Sequence, residues 1–421
     1  MFIWCLCASN RHHRASAATI LPMDYLGYDL VEEIVGYLPP EDVDVISRVA
    51  AESPGLPAWS LAADEQLEKR FLLDIHISID EEDDKKKSPT IRLSAVKILS
   101  DELEEVPWNF TQWRYAAIRN ITIKPKSIYD THQGTPTDLK KVLRIVSLPV
   151  DHRAEGSLSV TGDARSPAAG ALVWKILRAT QKLFVKVHLT HLRSDPSGAF
   201  EDFVADYIDR GVFLDDLRCF GDQTEQNRIC AAVAPLFGRK RGRPLTLMLS
   251  KVRFEFEDIE RILEEWLKSD GAYEDKKLGV RAHCLRNAAW RTITDKFNFV
   301  GNAEGGFIAH PMKRSSLHIT RKTIHVVRYQ RWHDRVDFRW IESVINRWKH
   351  RSGRYLLRGE KRLSIVFSTT GDSDKFIGKY GPMMTTSYPH LTIDHPSDKP
   401  VYIAVAKKTE LFDICVRGWP H

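Results

Sequence analysis

Long apolar runs are missing from this 421-residue sequence. None approaches the roughly 18 residues that a helix needs to cross a bilayer, so no membrane span is expected. Cysteine is scarce as well. Cys5, Cys7, Cys219, Cys230, Cys284 and Cys415 form no C-x-x-C pair. That argues against a disulfide framework and for a reduced compartment, cytoplasm or nucleus. Signatures of chemistry are equally sparse. There is no G-x-S-x-G nucleophile turn, no H-E-x-x-H zinc helix and no G-x-x-x-x-G-K-[ST] phosphate loop. The stretch GNAEGG, Gly301 to Gly306, has glycines without the Lys-Ser/Thr of a phosphate loop and reads as a flexible connection. The 16 histidines show no ligand set: His12-His13, His188 with His191, and His333-Asp334 have no further donors at matching spacing. Zinc needs three or four convergent ligands, so no metal, no cofactor and no catalysis by the chain itself is expected.

What is present is the composition of a folded chain, with 43% hydrophobic and 28% charged residues and length for two or three domains. Charge is unevenly placed. Residues 1–150 carry 17 Lys+Arg against 23 Asp+Glu, and the remainder carries 45 against 33. The basic part suits an acidic protein, nucleic acid or a membrane face, or is simply a solvated surface. The opening MFIWCLC is followed by Arg11 and Arg14, the reverse of a signal peptide's order. Residues 1–22 therefore read as a disordered extension, and Met23, where the organised pattern begins, is a candidate start.

The stretch MDYLGYDLVEEIVGYLPPEDVDVISRVA, Met23 to Ala50, is more apolar than one surface helix needs. Asp29 and Glu32 have the spacing of a capping box. A helix over about Leu30–Leu38 places Leu30, Ile34 and Leu38 on one stripe and Val31 and Val35 on the next. Pro39-Pro40 stops it and starts a second helix, with Glu41 and Asp42 at its positive end, Val43, Ile46, Val49 and Ala50 on its stripe, and Val45 adding to it. Trp59 to Arg70 again has helical spacing. Two short helices with two apolar faces each must bury one face elsewhere, against the rest of the chain or against a partner.

This pattern resembles an F-box. The residues that carry the likeness are Leu26-Gly27 at the place of the usual Leu-Pro, then DLVEEIVGYL, PPEDV and VISRVA. The resemblance covers about residues 23–70. It implies that Leu26, Leu30, Ile34, Leu38, Pro39, Val43 and Ile46 contact the small adaptor subunit of a cullin-RING ubiquitin ligase.

Beyond it, LLDIHISI alternates, with Leu73, Ile75, Ile77 and Ile79 on one face of an expected strand. Short apolar runs then start at Leu183, Leu214, Leu245, Leu278, Ile324 and Leu363, spaced by 31, 31, 33, 46 and 39 residues. Amphipathic helices separate them, with core stripes such as Phe200–Ile208, Ile229–Phe237, Phe256–Leu267 and Trp340–Trp348. Strand and helix alternating at this period predict an α/β fold, a short N-terminal helical F-box-like module followed by irregular β-α repeats, solenoid-like or an open parallel sheet. The expected division is an extension at 1–22, the module at 23–70, a connecting α/β region at 71–162, the repeats at 171–370 and a strand-rich extension at 371–421. GDARSPAAG, Gly162 to Gly170, is the boundary candidate. An F-box followed by such units resembles the nematode-expanded F-box proteins, including those with an FTH domain. That resemblance implies a C-terminal half that recruits a protein substrate.

One motif supports a rival. GRKRGRPL, Gly238 to Leu245, contains an Arg-Gly-Arg-Pro core similar to an AT-hook, in which arginines enter the narrow A·T minor groove. Arg239, Lys240, Arg241 and Arg243 are then nucleic-acid contacts; otherwise they form a basic turn that ends a helix. A non-catalytic repeat scaffold is the third expectation.

Overall fold

The computed structural model describes residues 26–417, apart from 54, 81–88, 99–104, 126–133, 163–165, 193–197, 221–226, 251, 253, 280–286, 303–304, 352, 358–359, 381–389, 397–400 and 409–410. The expected extension 1–22, Met23 and most of the charged 80–89 loop lie outside the described residues. So do Cys5, Cys7, Cys284, His12 and His13.

Three helices open the chain: α1 (Tyr28–Gly36), α2 (Pro40–Ala51) and α3 (Pro57–Lys69). Prolines punctuate them as physics requires. Pro39 and Pro40 separate α1 from α2, and Pro40 and Pro57 occupy first helical positions, where no amide donor is needed. The expected capping box at Asp29 does not form. Gly27 holds the N-cap with no side-chain bond, and Asp29 sits inside the first turn, where it meets only the helix dipole.

The sheet strands follow as β1 (Phe71–Asp80), β2 (Thr90–Ile98), β3 (Glu105–Pro107), β4 (Ala116–Pro125), β5 (Thr135–Thr137), β6 (Ser157–Thr161), β7 (Lys186–Thr190), β8 (Asp216–Phe220), β9 (Leu245–Leu249), β10 (Lys276–Gly279), β11 (Val300–Asn302), β12 (Gly305–Ala309), β13 (Ser315–Thr320) and β14 (Thr323–Arg328). Between them lie α4 (Leu139–Val146), α5 (Pro167–Ala179), α6 (Ala199–Arg210), α7 (Asn227–Gly238), α8 (Phe256–Lys268) and α9 (Asn287–Phe297).

Strands β1, β4, β6, β7, β8, β9 and β10 are parallel and lie side by side in chain order. Because the order never reverses and such crossovers share one hand, the connecting helices fall on one face. In-register apolar ladders form that face. One runs Ile75, Ile121, Leu158, Val187, Leu217, Leu247, Leu278, all buried against the helix stripes in one core. The fold is thus mixed α/β, with N-terminal helices and then β-α units around an open sheet.

Two expected repeat strands depart from this. The run at Ile324 becomes β14, antiparallel to β10 and the first of a meander through β13, β12 and β11. The run at Leu363 becomes β15 (Arg362–Val366) of a second sheet, with β16 (His390–Asp394), β17 (Tyr402–Lys408) and β18 (Leu411–Arg417), in the order β15-β18-β17-β16. Together with α10 (Phe338–Lys349) and α11 (Thr370–Tyr380), this sheet builds its own core around Trp348, Phe376 and Phe412. The C-terminal unit therefore begins before 371. The boundary candidate 162–170 lies within the first unit instead. Residues 163–165 are outside the described residues, Ser166 Oγ caps α5 by accepting from Ala169 N at 3.2 Å, and one core runs from Phe71 to Val326 across the stretch.

Candidate protein-docking surface

The helical module has a core separate from that of the sheet. Val31, Val35, Val43, Ala50, Trp59, Ala62 and Ala63 are buried together. Of the two apolar stripes on α1, Val31 and Val35, both 0% exposed, turn inward. The other stripe is split: Leu30 is 47% exposed, whereas Ile34 and Leu38 are half-buried and pack against the edge of the same core. Tyr37, Val45, Val49, Leu61 and Leu67 are also exposed. Among the described residues, 6 of the 11 well-exposed large apolar side chains belong to this helical module, five within its helices and Tyr37 just after α1, although the module is a small share of the chain. That concentration marks a contact surface, because scattered single exposures carry no such meaning.

The expected contact residues divide accordingly. Leu26, Leu30, Ile34, Leu38, Pro39 and Ile46 keep exposed or half-exposed surface. Val43 does not: it is 1% exposed and belongs to the module's own core, because the second helix turns that side toward α3. Tyr37 was not singled out from the sequence, and Val45, Val49 and Leu61 were placed on helical stripes without being named as contacts. The i, i+4 spacing of Val45 and Val49 is the signal that marks a second outward face.

Polar contacts fasten the module to the sheet. Gln66 Nε2 donates to Arg114 O at 2.9 Å, Arg114 pairs with Glu32 at 3.0 Å, and Arg70, which also donates to Leu38 O within the module at 2.6 Å, stands 3.7 Å from Asp151. Glu65 accepts from Lys69 at 2.7 Å, Tyr28 at 2.8 Å and Tyr115 at 3.0 Å. These donors, Lys69 foremost, hold its carboxyl down at about 2. Burial, and then the bond to Glu65, push the Tyr28 hydroxyl up to about 12.

The sheet face opposite the helices is polar. One row across it reads Asp74, Asn120, Ser157, Lys186, Asp216, Thr246, Lys277, and the next reads His76, Thr122, Ser159, His188, Arg218, Met248. Much of its charge is matched internally. Arg119, the extra residue of a register shift in β4, grips Asp74 through two bonds of 2.9 and 2.6 Å, and Arg218 pairs with Asp216 at 2.8 Å. Asn120 donates to Asp74 at 3.0 Å and accepts from Ser157.

The basic motif is an internal clip. Arg241 Nη2 donates to the carbonyls of Gly211, Val212 and Leu214 at 3.2, 3.4 and 2.7 Å. Its backbone N and that of Gly242 donate to Glu274, and Gly242 takes a φ of +81° that favours glycine. Arg243 holds Asp215 with two bonds, one of 2.7 Å from Nη2. Both arginines thus tie neighbouring β-α loops together, and only Arg239 and Lys240 are exposed. The extended arm that an AT-hook requires is absent at this turn, because its guanidinium groups are engaged within the chain.

Among the described residues, no group of three or more His, Cys, Asp or Glu has a metal-binding arrangement, and no helix is long and apolar enough to cross a membrane. His188 Nε2 stands 3.6 Å from Asp216. His333 is buried in a stack on Phe307, with ring centroids 4.0 Å apart, and burial lowers it to about 4. Cys219 and Cys230 are buried thiols outside any disulfide, and burial pushes both up, Cys230 to about 12, so neither is a ready nucleophile. Comparison of the chain with protein-family models, with curated proteins and with solved structures gave no match.

Proposed function

We propose that this chain is a substrate-recruiting subunit of a cullin-RING ubiquitin ligase. Helices α1 to α3 act as an F-box that docks on the ligase adaptor subunit, and the β-α units hold a protein substrate. Ubiquitin chemistry takes place on other subunits. The observation that carries the reading is the cluster of exposed apolar side chains on the helical module, Leu30, Tyr37, Val45, Val49, Leu61 and Leu67, beside a core that is already filled. An isolated module has no internal reason to keep that surface greasy, whereas a stable protein interface of about 1,200–2,000 Å² is dominated by a few such anchors. The open polar sheet face supports a recruiting role for the second part, since it offers hydrogen-bonding groups in register along the parallel strands.

Co-purification with the adaptor tests this. The wild-type chain is expected to retain the adaptor and Leu30→Asp/Ile34→Asp to lose it, since an unpaired carboxylate buried at a contact costs several kcal/mol. Equal recovery by both, or by neither, counts against the reading.

A further inference from the structure

At the edge where the parallel strands begin, the loops leading into β6, β7, β8 and β9 line an open cleft of about 500 Å³. That lies within the range of about 300–1,000 Å³ usual for small-molecule sites. Its polar lining is a set of ion pairs. Lys186 Nζ meets Glu155 at 2.5 Å, and Arg243 holds Asp215 through two bonds. Each carboxylate therefore has its own cation. Arg153 is the third cation, and its partner comes from elsewhere: Glu41, in the first turn of α2. Both members of that pair are well exposed, so the contact is weakly held and salt-screened. Glu155 adopts a φ of +52°, uncommon for a residue other than glycine, at the end of the short helical turn that carries Arg153. Val185 and Phe213 supply the apolar part of the lining. The Arg243 guanidinium stands 5.9 Å from the centre of the Phe213 ring.

We propose that this cleft binds a monoanionic carboxylate carried on a compact apolar body, with the carboxylate taking the place of Glu41 at Arg153. The charge count decides the class. The lining holds three cations and two carboxylates, and Glu41 supplies the third from outside it, so a single negative charge taking the place of Glu41 keeps the balance. A dianionic phosphate leaves an excess, and a neutral amide brings no charge to exchange for that of Glu41. Val185 and Phe213 receive the apolar body. The carboxylate has two sources, a free aryl or alkyl acid or the C-terminus of a polypeptide, and both present the same group to Arg153.

Calorimetric titration of the full chain distinguishes the outcomes. The probes are 3-phenylpropionate, the dipeptide alanylphenylalanine with a free carboxylate, the same dipeptide as its amide, and inorganic phosphate. At least one of the two acids is expected to bind saturably; binding of phenylpropionate alone identifies a free acid, and binding of the dipeptide acid identifies a chain end. The amide and phosphate are expected to bind at least about tenfold more weakly, the discrimination that one charge-assisted hydrogen bond supplies. Arg153→Gln, on an exposed side chain whose loss leaves the melting temperature in place, is expected to weaken acid binding by about tenfold or more on the same scale. Glu41→Gln is expected to tighten it, because Arg153 is then released from competition. No binding of either acid, equal binding of amide and acid, tighter binding of phosphate, or unchanged affinity in Arg153→Gln overturns the proposal, as does weaker binding in Glu41→Gln.

Discussion

Removal of the Arg241 side chain separates a structural clip from a nucleic-acid arm. In the folded chain its Nη2 reaches three carbonyl oxygens, one at a strong 2.7 Å and two at 3.2 and 3.4 Å. A hydrogen bond from a charged donor contributes about 1.5–3 kcal/mol, and the two longer bonds add little beyond it. Desolvation of the half-buried guanidinium, which also lowers its pKa, offsets part of that gain. Glu274 is not orphaned, because Lys276 remains 2.9 Å away and the amides of Arg241 and Gly242 still donate. Arg241→Ala is therefore expected to destabilise the β-α units by about 1–2 kcal/mol. Urea unfolding followed by far-ultraviolet circular dichroism reads this as a lower midpoint at constant slope. Arg241→Lys is expected to recover only part of the loss, since one ammonium cannot serve three carbonyls in a fork. A shift below about 0.5 kcal/mol, the usual range for surface changes, refutes the clip. It does so most clearly if A·T-rich duplex binding falls in the same variant.

Two further outcomes follow from the same geometry. Val35→Ala, at a fully buried position, is expected to lower module stability by about 1–2 kcal/mol, whereas Leu30→Ala, on the outer stripe, stays within about 0.5 kcal/mol in thermal melts. A reversal of that order contradicts the assignment of the two faces. His333 has its folded-state pKa depressed to about 4 by burial, so it favours the neutral form. Its stabilising contribution is fully present above the ordinary value of 6.5 and is lost as the pH falls from 6.5 through 4. Hydrogen exchange at β12 and the turn before α10 is expected to accelerate across that window, and exchange that is flat from pH 7 to pH 4, after correction for intrinsic rates, rules it out.

Much of the architecture was legible from local pattern. The Pro39-Pro40 break, the alternation through Leu73, Ile75, Ile77 and Ile79, and the helix stripes at Phe200–Ile208 and Ile259–Trp266 all rest on periodicity and proline chemistry, which act over a few residues. Which stripe of α1 turns inward was not legible. Leu30, Ile34 and Leu38 are as apolar as Val31 and Val35, and only the packing of α3 decides between them. The runs at Ile324 and Leu363 look like the earlier repeat strands, yet they pair antiparallel and, for the second, in another sheet; strand direction is set by the connection and not by the strand. Arg241-Gly242-Arg243 read as a free arm because its acceptors lie 27–33 residues away in other loops. The cleft was invisible for the same reason, since its walls come from four loops and its third cation is answered by the helical module.

The most direct test is adaptor capture by the intact chain, measured for wild type beside Leu30→Asp/Ile34→Asp, with circular dichroism confirming that both are folded. Retention by the first and loss by the second is the result predicted for an apolar stripe covered by the ligase. Two folded proteins that capture the adaptor equally, or not at all, contradict it.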